Sequence, residues 1–575
     1  MNINALNNFN VWKNKLNDIS KIDYQELLKM NEDNINDSFY KDLSFGTGGL
    51  RGKMGLGTNR INQFTIYKAT RGVGLYLKTK FNKPSVVIGY DSRNHSREYA
   101  YISANVFANL GIKVFIFNEL IPTPVVSFAI RYLKASAGVI LTASHNPKEY
   151  NGYKVYNDGG NQITLEEANA IITKISEIDP LDEYLKFTSL SKESSFLINE
   201  IEETLIEDFI KSTKKTSLLE TFSEKRIKIV YTPLNGAGYK LVPQVLKECG
   251  FKNLLVVKEQ ANPDGNFPTC PKPNPELKEA MELGIKLAKS SNSDLLIATD
   301  PDCDRCGVGV RYNDDFILLN GNEVAILMFN YLIKVKGNLS DKEIVRSIVS
   351  TSFVDKLAKA NNIKVKEVLT GFKYIGEEMN RLERNDKLDN YLFGFEESYG
   401  YLTNKEVRDK DAVNASLFIA EMSEYYRLNG HSLIDELKNI YAKFGYNKTI
   451  LLTEELDGES GLKRIDKIVQ NLREMSFEKL SELFSENVLS KEDYLISKCF
   501  YKESTSEILL PKSNVLIFKL DDETRFMIRP SGTEPKIKCY IEVNDKDEEK
   551  CNEKLERYSK LFKKVVNELW KRYMN

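Results

Sequence analysis

Residues 137–147 read AGVILTASHNP. A run of small and branched apolar residues ends in Thr142, Ala143, Ser144, His145, Asn146 and Pro147. Such a run suits a strand covered on both faces. A turn accounts for the proline and the asparagine, but it does not call for a serine and a histidine as well. The same habit recurs along the chain. PSVVIGYDSR turns at Asp91, IKIVYTPLNGAG near Asn235, and SDLLIATDPDCDR at Asp300. Helix-like segments such as EYAYISANVFANLG and GYKLVPQVLKECG lie between them. Apolar strands alternating with helices imply parallel α/β sheets, whose ligands sit beyond the carboxyl ends of the strands. The polar turns are therefore where a site is expected.

The chain has 575 residues, which at about 150 per domain suggests roughly four domains. Residues 1–205 read as an α/β unit carrying the Ser144 turn, and residues 206–318 as a second carrying Asp300. Residues 319–446 read as a third, opening on the helix-like NGNEVAILMFNYL. Residues 447–575 differ: ETRFMIRPSGTEPKIKCYIEV gives two strand-like runs around a turn, and a charged helix follows from about Asp545. That is an α+β unit. The acidic and lysine-rich stretch from about Glu454 to Glu492 reads as solvated helices.

With 42% hydrophobic and 28% charged residues the chain has the profile of a folded protein with ample core. Its 81 basic and 82 acidic residues leave a net charge of −1, no electrostatic reason to expect a nucleic-acid or membrane partner. Seven scattered cysteines suggest no disulfide framework and fit a reducing compartment. The lone C-x-x-C of Cys303 and Cys306 lacks the second ligand pair a structural zinc site wants. The first residues, MNINALNNFNVWKNKL, contain no apolar stretch of signal-peptide length. No run approaches the roughly 18 apolar residues of a membrane span. A cytoplasmic protein is expected.

Four motifs carry candidate chemistry. In TASHNP, Ser144 reads either as a helix cap or as a group that carries a phosphoryl. His145 is its sequence neighbour, so in extended backbone the two side chains point apart, and no G-x-S-x-G elbow surrounds the serine; a serine hydrolase is disfavoured. In DPDCDR, the carboxylates of Asp300, Asp302 and Asp304 alternate after an apolar strand and can converge on one hard cation such as Mg²⁺. The EF-hand alternative fails, because its Gly and Glu positions hold Arg305 and Arg311. RPSGTEPK offers the Arg529 fork, the Ser531 and Thr533 hydroxyls and a turn at Gly532, a phosphate cradle or a plain hairpin turn. In GFEESYGY, Glu396 and Ser398 alternate and could grip two sugar hydroxyls, or they belong to a surface loop. TGFKYIG places Lys373 in a Gly-bounded loop, and FGTGGLRG places Arg51 in another that does not follow a clear strand.

Together, and in this order, the motifs resemble those of the α-D-phosphohexomutase superfamily, most closely its phosphoglucomutase branch, over Phe45 to roughly Glu542. The resemblance implies a four-domain, heart-shaped architecture with three related α/β domains and a C-terminal α+β domain. It implies Ser144 as the phosphoserine. Asp300, Asp302 and Asp304, with a phosphoryl oxygen on Ser144, would bind one Mg²⁺. Glu396 and Ser398 would read the sugar, and Arg529, Ser531, Gly532 and Thr533 would hold the non-reacting phosphate. Arg51, Lys154, Arg305 and Lys373 match basic residues around the reacting groups, and His145 with Lys154 or Lys373 are candidates for proton transfer. Pro301 and Cys303 stand where many relatives have glycine, and Cys303 is expected to add sensitivity to oxidation.

The implied activity interconverts glucose 1-phosphate and glucose 6-phosphate, with glucose 1,6-bisphosphate as bound intermediate and activator. EESYG followed by VRDKDA looks like the glucose-handling relatives rather than the hexosamine ones. Phosphomannomutase or phosphopentomutase activity, and a non-catalytic phosphosugar-binding regulator, are the alternatives. The expected partners are small phosphosugars, with no nucleic acid or membrane, in a monomer or weak homodimer.

Overall fold

The structure, a computed structural model, describes residues 2–46, 48–219, 225–455, 458–530 and 536–572. The chain divides into two compact units. The first comprises Met1–Tyr331, Lys342–Val345 and Phe372–Ser432. The second comprises Leu332–Asp341, Arg346–Gly371 and Leu433–Asn575.

In the first unit, the stretch AGVIL forms the strand Ala137–Leu141, buried at every residue. It sits inside a six-stranded sheet. On one side it pairs in parallel with Ser85–Tyr90, which pairs with Lys113–Ile116 and so on to Ile198–Glu200. On its other side the pairing is antiparallel, with Tyr150–Asn157, and that strand pairs antiparallel with Leu50–Lys53. The sheet is therefore mixed, where the apolar runs alone suggested a parallel one. The reason is local: TASHNPKE is too short to hold a crossover helix, so the chain doubles back beside the strand it has just left. The helix-cap reading of Ser144 falls with it, because no helix follows.

Helices Gln63–Lys80 and Leu165–Ser176 open with capping boxes at Asn62 and Thr164, in which side chain and backbone satisfy each other's orphan groups. Their apolar faces close the core around Ile66, Val73, Val86, Val139 and Ile171. Three helices precede this layer: Ile3–Ile19, Lys21–Leu27 and Glu32–Phe39. They bury Trp12 edge-on between Phe39 and Phe64, at 5.5 and 5.4 Å between ring centres.

A five-stranded sheet follows, ordered Asp315–Leu319, Cys306–Tyr312, Leu295–Thr299, Ile229–Thr232 and Leu254–Val256. Leu295–Thr299 is again wholly buried, and it turns antiparallel into Cys306–Tyr312 through the DPDCDR loop. Later in this unit, Tyr391–Glu396 and Gly400–Leu402 form a hairpin whose turn holds Ser398.

The second unit contains a seven-stranded sheet in which Tyr446–Glu455, Lys536–Asp545, Arg525–Pro530, Leu516–Leu520 and Val488–Asp493 run antiparallel in that order. Helices Gly458–Glu474, Phe477–Phe484 and Glu548–Arg572 belong to this unit. The first two fall in the charged stretch expected to be solvated. They are amphipathic rather than free-standing, since Ile465, Ile468, Leu472, Leu480 and Phe484 enter the core. All seven cysteines are buried free thiols. No helix among the described residues is long and apolar enough to cross a membrane.

Gly49 shows how closely the Arg51 strand is laid on the sheet. Its φ is +86°, and a Cβ there would lie 1.8 Å from the Tyr153 carbonyl oxygen. Gly49→Ala combines a left-handed backbone with a backbone clash, and is expected to destabilise the fold by more than about 1 kcal/mol. The first transition of a urea titration reads this out as a lowered midpoint.

Candidate active site

The two buried strands Ala137–Leu141 and Leu295–Thr299 deliver their polar turns to one place. Ser144 Oγ donates to the Asp300 carboxylate at 2.8 Å. Ligand atoms of Asp300, Asp302 and Asp304 all lie within 4.8 Å of one another, and all three residues are buried. Asp300 also accepts from the backbone N–H groups of Asp304 and Arg305, each at 3.0 Å, which folds the loop back on itself. Cys303, between two of the carboxylates, takes φ +54°.

Such a cluster repels itself. At an effective dielectric near 20, two carboxylates at this spacing cost roughly 3–4 kcal/mol. Cations answer it. Lys154 Nζ donates to Asp302 at 2.6 Å and to Asp304 at 3.2 Å. Lys410 Nζ pairs with Asp304 at 3.1 Å and with Asp409 at 3.3 Å. Burial alone would lower the Lys154 pKa, but Asp302 and Asp304 outweigh it and hold the ammonium well above the usual lysine range. Burial likewise opposes ionisation of Asp304, yet Lys154, Lys410 and Arg305 outweigh it and the carboxyl stays below its ordinary value. Asp300 goes the other way: burial and its two neighbouring aspartates push it well up.

One oxygen each on Asp302 and Asp304 accepts no hydrogen bond from the described residues, although both are buried. Two orphaned carboxylate oxygens beside a third carboxylate and a serine hydroxyl are what a hard divalent cation takes as ligands. The residues present fit Mg²⁺.

Ser144 leaves strand geometry altogether, with φ +51°. This overturns the expectation that His145 must point away from it. In the left-handed turn the alternation of faces is lost, and His145 Nδ1 lies 3.1 Å from Ser144 Oγ. Burial, then Arg305 and Arg51, push the imidazole well below its usual range, so the ring is neutral. Arg51, on the strand Leu50–Lys53, donates to Asn146 at 3.3 Å. Arg305 donates to Glu276 and lies 4.0 and 3.9 Å from Asp300 and Asp304.

Glu396 is buried at the end of its strand and raises the Lys410 pKa together with Asp304 and Asp409. The hairpin turn it opens is tied to the metal loop by the Cys306 N–H, which donates to the Tyr399 carbonyl at 3.0 Å. Tyr399 takes φ +65°, so the turn is not the extended loop that alternation of Glu396 and Ser398 assumed. Lys373 is likewise not in a loop. It lies in the first turn of the helix Phe372–Arg384, and Gly376 is inside that helix because a Cβ there would meet the Arg408 carbonyl at 2.3 Å. Burial lowers Lys373 to about 8. Arg529 lies on the strand Arg525–Pro530 of the second unit, opposite Lys538. Ser531, Gly532 and Thr533 lie outside the described residues. Cys303 and Cys306 are fully buried, and burial pushes the Cys306 thiol up to about 12 and Cys303 well up too, which works against the expected oxidation sensitivity.

Sequence reasoning missed Lys410, Thr123, Asp91 and Arg93. Thr123 donates to Asp302 at 2.9 Å. Lys410 stands in VRDKDA, which the sequence marks as resembling the glucose-handling relatives without singling out its lysine. Asp91 ends one of the apolar strands that turn polar, and that position was the available signal.

Family models match most of the chain. Phosphoglucomutase/phosphomannomutase alpha/beta/alpha domains I, II and III match residues 42–182, 207–313 and 320–444, and the C-terminal domain of that family matches residues 496–554. A phosphoglucomutase from Staphylococcus aureus strain MSSA476 is 39% identical over 511 residues, covering 88% of this chain and 90% of the relative. One from strain MRSA252 is 39% identical over 515 residues, covering 89% and 91%. The fold is shared with parafusin, a phosphoglucomutase from Paramecium in its open form, at TM-score 0.68 and 21% identity, covering 92% of this chain and 96% of that one. It is shared also with a phosphoglucomutase/phosphomannomutase family protein from Burkholderia thailandensis, at TM-score 0.64 and 16% identity, covering 90% and 96%.

Two measurements check the electrostatics. A ligand that binds only the folded state raises stability by about 2.7 kcal/mol at one hundred times its Kd. Millimolar Mg²⁺ is therefore expected to raise the Tm of the wild type, and to leave Asp302→Ala unmoved. Lys373 works in the alkaline range. Its folded pKa of about 8 lies below the ordinary 10.5, so the unfolded chain binds more protons between those values. Its contribution to stability then rises with pH across that window. Lys373→Met is expected to raise the Tm at pH 7 and to flatten the rise between pH 8 and 10.

Proposed function

The chain belongs to the phosphoglucomutase/phosphomannomutase family, and we propose that within it the protein interconverts glucose 1-phosphate and glucose 6-phosphate through a phosphorylated Ser144. It is an enzyme of the isomerase class, an intramolecular phosphotransferase. The observation that carries the reading is the 2.8 Å contact between Ser144 Oγ and Asp300, inside a buried cluster of three aspartates. A serine whose hydroxyl donates to one of three clustered aspartates is suited to holding a phosphoryl group whose charge needs a cation.

Asp300, Asp302 and Asp304, with a phosphoryl oxygen on Ser144, would hold Mg²⁺. The ion, when bound, neutralises charge on the transferring phosphoryl group. The protein's own residues do the rest. The free hydroxyl of a sugar phosphate attacks phospho-Ser144; the new P–O bond forms to the sugar as the bond to Ser144 Oγ breaks. Lys154 and Lys410, held protonated by the aspartates, offset the spread of negative charge without moving. In net terms one proton passes from the sugar hydroxyl to the departing Ser144 Oγ, and the neutral His145 Nδ1, at 3.1 Å, is placed to pair with the hydroxyl so formed. Of the two lysines considered for the sugar hydroxyl's proton, Lys154 is committed as an ammonium, whereas Lys373 is lowered to about 8 and suits the exchange. The bound glucose 1,6-bisphosphate then turns over and returns its other phosphate to Ser144.

Glu396 and Ser398 read sugar hydroxyls common to both orientations. Arg529, Ser531, Gly532 and Thr533 hold the phosphate that is not reacting, and Arg51 and Arg305 guard the reacting one. Glucose 1,6-bisphosphate acts as the activator that recharges a dephosphorylated Ser144. With its free, buried cysteines the protein reads as cytoplasmic, monomeric or a weak homodimer, and dedicated to free phosphosugars.

A phosphorus NMR time course tests the assignment. Glucose 1-phosphate with Mg²⁺ and a trace of glucose 1,6-bisphosphate is expected to yield glucose 6-phosphate without inorganic phosphate, faster than mannose 1-phosphate or ribose 1-phosphate reacts. Ser144→Ala is expected to lower the rate by at least about 10³-fold, the scale of losing a covalent catalyst. An unchanged rate in that variant overturns the phosphoserine.

A further inference from the structure

Resting on the phosphoserine reading above, we propose that Asp91, Thr142 and Arg93 form a positioning device that holds Ser144 in its left-handed turn, so that its Oγ faces the aspartate cluster. A non-glycine residue at φ +51° is held away from its relaxed conformation. Something must grip it, and both backbone polar groups of Ser144 are gripped by the same three residues.

The N–H of Ser144 donates to Thr142 Oγ1 at 2.8 Å. The Thr142 hydroxyl in turn donates to Asp91 Oδ2 at 2.6 Å, which fixes its lone pairs toward Ser144. The carbonyl of Ser144 accepts from Arg93 Nη2. The same guanidinium donates to the carbonyls of Asn146, Pro147 and Tyr150, the last two at 2.9 and 3.1 Å. One planar fork thus gathers four carbonyls of a single turn, which a lysine cannot do. Arg93 and Asp91 pair at 3.4 Å with both side chains fully buried. Asp91 Oδ1 also accepts from the Arg93 N–H and the Ser96 hydroxyl, each at 2.9 Å. Asp91 is therefore the one carboxylate behind both grips. Phe267, in the irregular segment between the helices Lys258–Ala261 and Lys278–Ser290, lies over the guanidinium at 5.1 Å. None of the three side chains reaches the aspartate cluster by a hydrogen bond described above; they act through Ser144.

A device of this kind affects the phosphoryl step and not the binding of sugar. The test uses Thr142→Val, which keeps the shape and removes the acceptor, and Thr142→Ser, which keeps the hydroxyl. Each is compared with the full-length wild type for Tm, for kcat and KM on glucose 1-phosphate, and for the rate at which glucose 1,6-bisphosphate phosphorylates Ser144, read by intact mass. Displacing a reacting atom by about 1 Å costs on the order of 100-fold. Thr142→Val is expected to lose between about 10-fold and 100-fold in kcat and in phosphorylation rate, with KM within about twofold and Tm little changed, and Thr142→Ser to recover most of the loss. Arg93→Lys is expected to show the same split between kcat and KM, with a lowered Tm from the carbonyls it leaves unpaired. A Thr142→Val enzyme with kcat within about threefold of wild type overturns the device. So does a loss carried by KM, or a Thr142→Ser variant as slow as Thr142→Val. A wild type that accepts no phosphoryl group on Ser144 and shows no mutase activity overturns the phosphoserine reading instead, and the positioning role falls with it.

Discussion

Three carboxylates within 4.8 Å in a buried loop are the constraint around which this part of the molecule is arranged. Left alone they would be driven apart or protonated. Lys154 arrives on a strand paired with the serine-bearing strand, Lys410 from the segment leading into the helix Ala412–Leu428, and Arg305 from the loop itself. Two of these cations touch Asp304, which is why it stays ionised while Asp300 is pushed the other way. The asymmetry matters chemically, because Asp300 is the one that receives the Ser144 hydroxyl.

The rest of the first unit can be read as support for those contacts. Buried β-strands bring the two turns together, and mixed pairing places Lys154 opposite Ile140, one turn away from Ser144. Tyr156 and Gln162 both donate to Asp409, at 2.7 and 3.1 Å, and Asp409 holds Lys410. Arg408, next in sequence, is buried against Asn380 and Glu383, while its N–H donates to Ser127. The polar segment VRDKDA is thus fastened at several points before it presents its lysine. Such a network is costly if any member is missing and rigid when complete.

Much of this was legible in the sequence because strand ends mark themselves. An apolar run that stops in DPDCDR or TASHNP announces both the strand and the chemistry at its tip. The sheet's mixed direction was not legible from the runs, since a buried antiparallel strand carries the same residues as a parallel one; the shortness of the Ser144 turn was the overlooked sign. His145 does not follow the alternation of faces, which holds only while the backbone is extended, and at Ser144 it is not. The place of Lys373 does not follow from the glycines around it, because Gly376 serves a close approach of backbone to helix and not a turn. VRDKDA stands out as a motif, but nothing local in it points Lys410 at the aspartates. Its partner Asp304 is a long way off in sequence, and only the fold brings them together.

That separation has a consequence in time. A ribosome adds roughly 5–20 residues per second, and domains fold as they emerge. Asp304 is made about a hundred residues before Lys410, so the nascent chain carries its aspartate loop for roughly 5–20 seconds without one of the two lysines that offset it. During that interval Lys154, already synthesised, is its lysine partner. The order of the chain therefore makes the pairing of Asp304 with its second lysine a late electrostatic event, completed when VRDKDA docks.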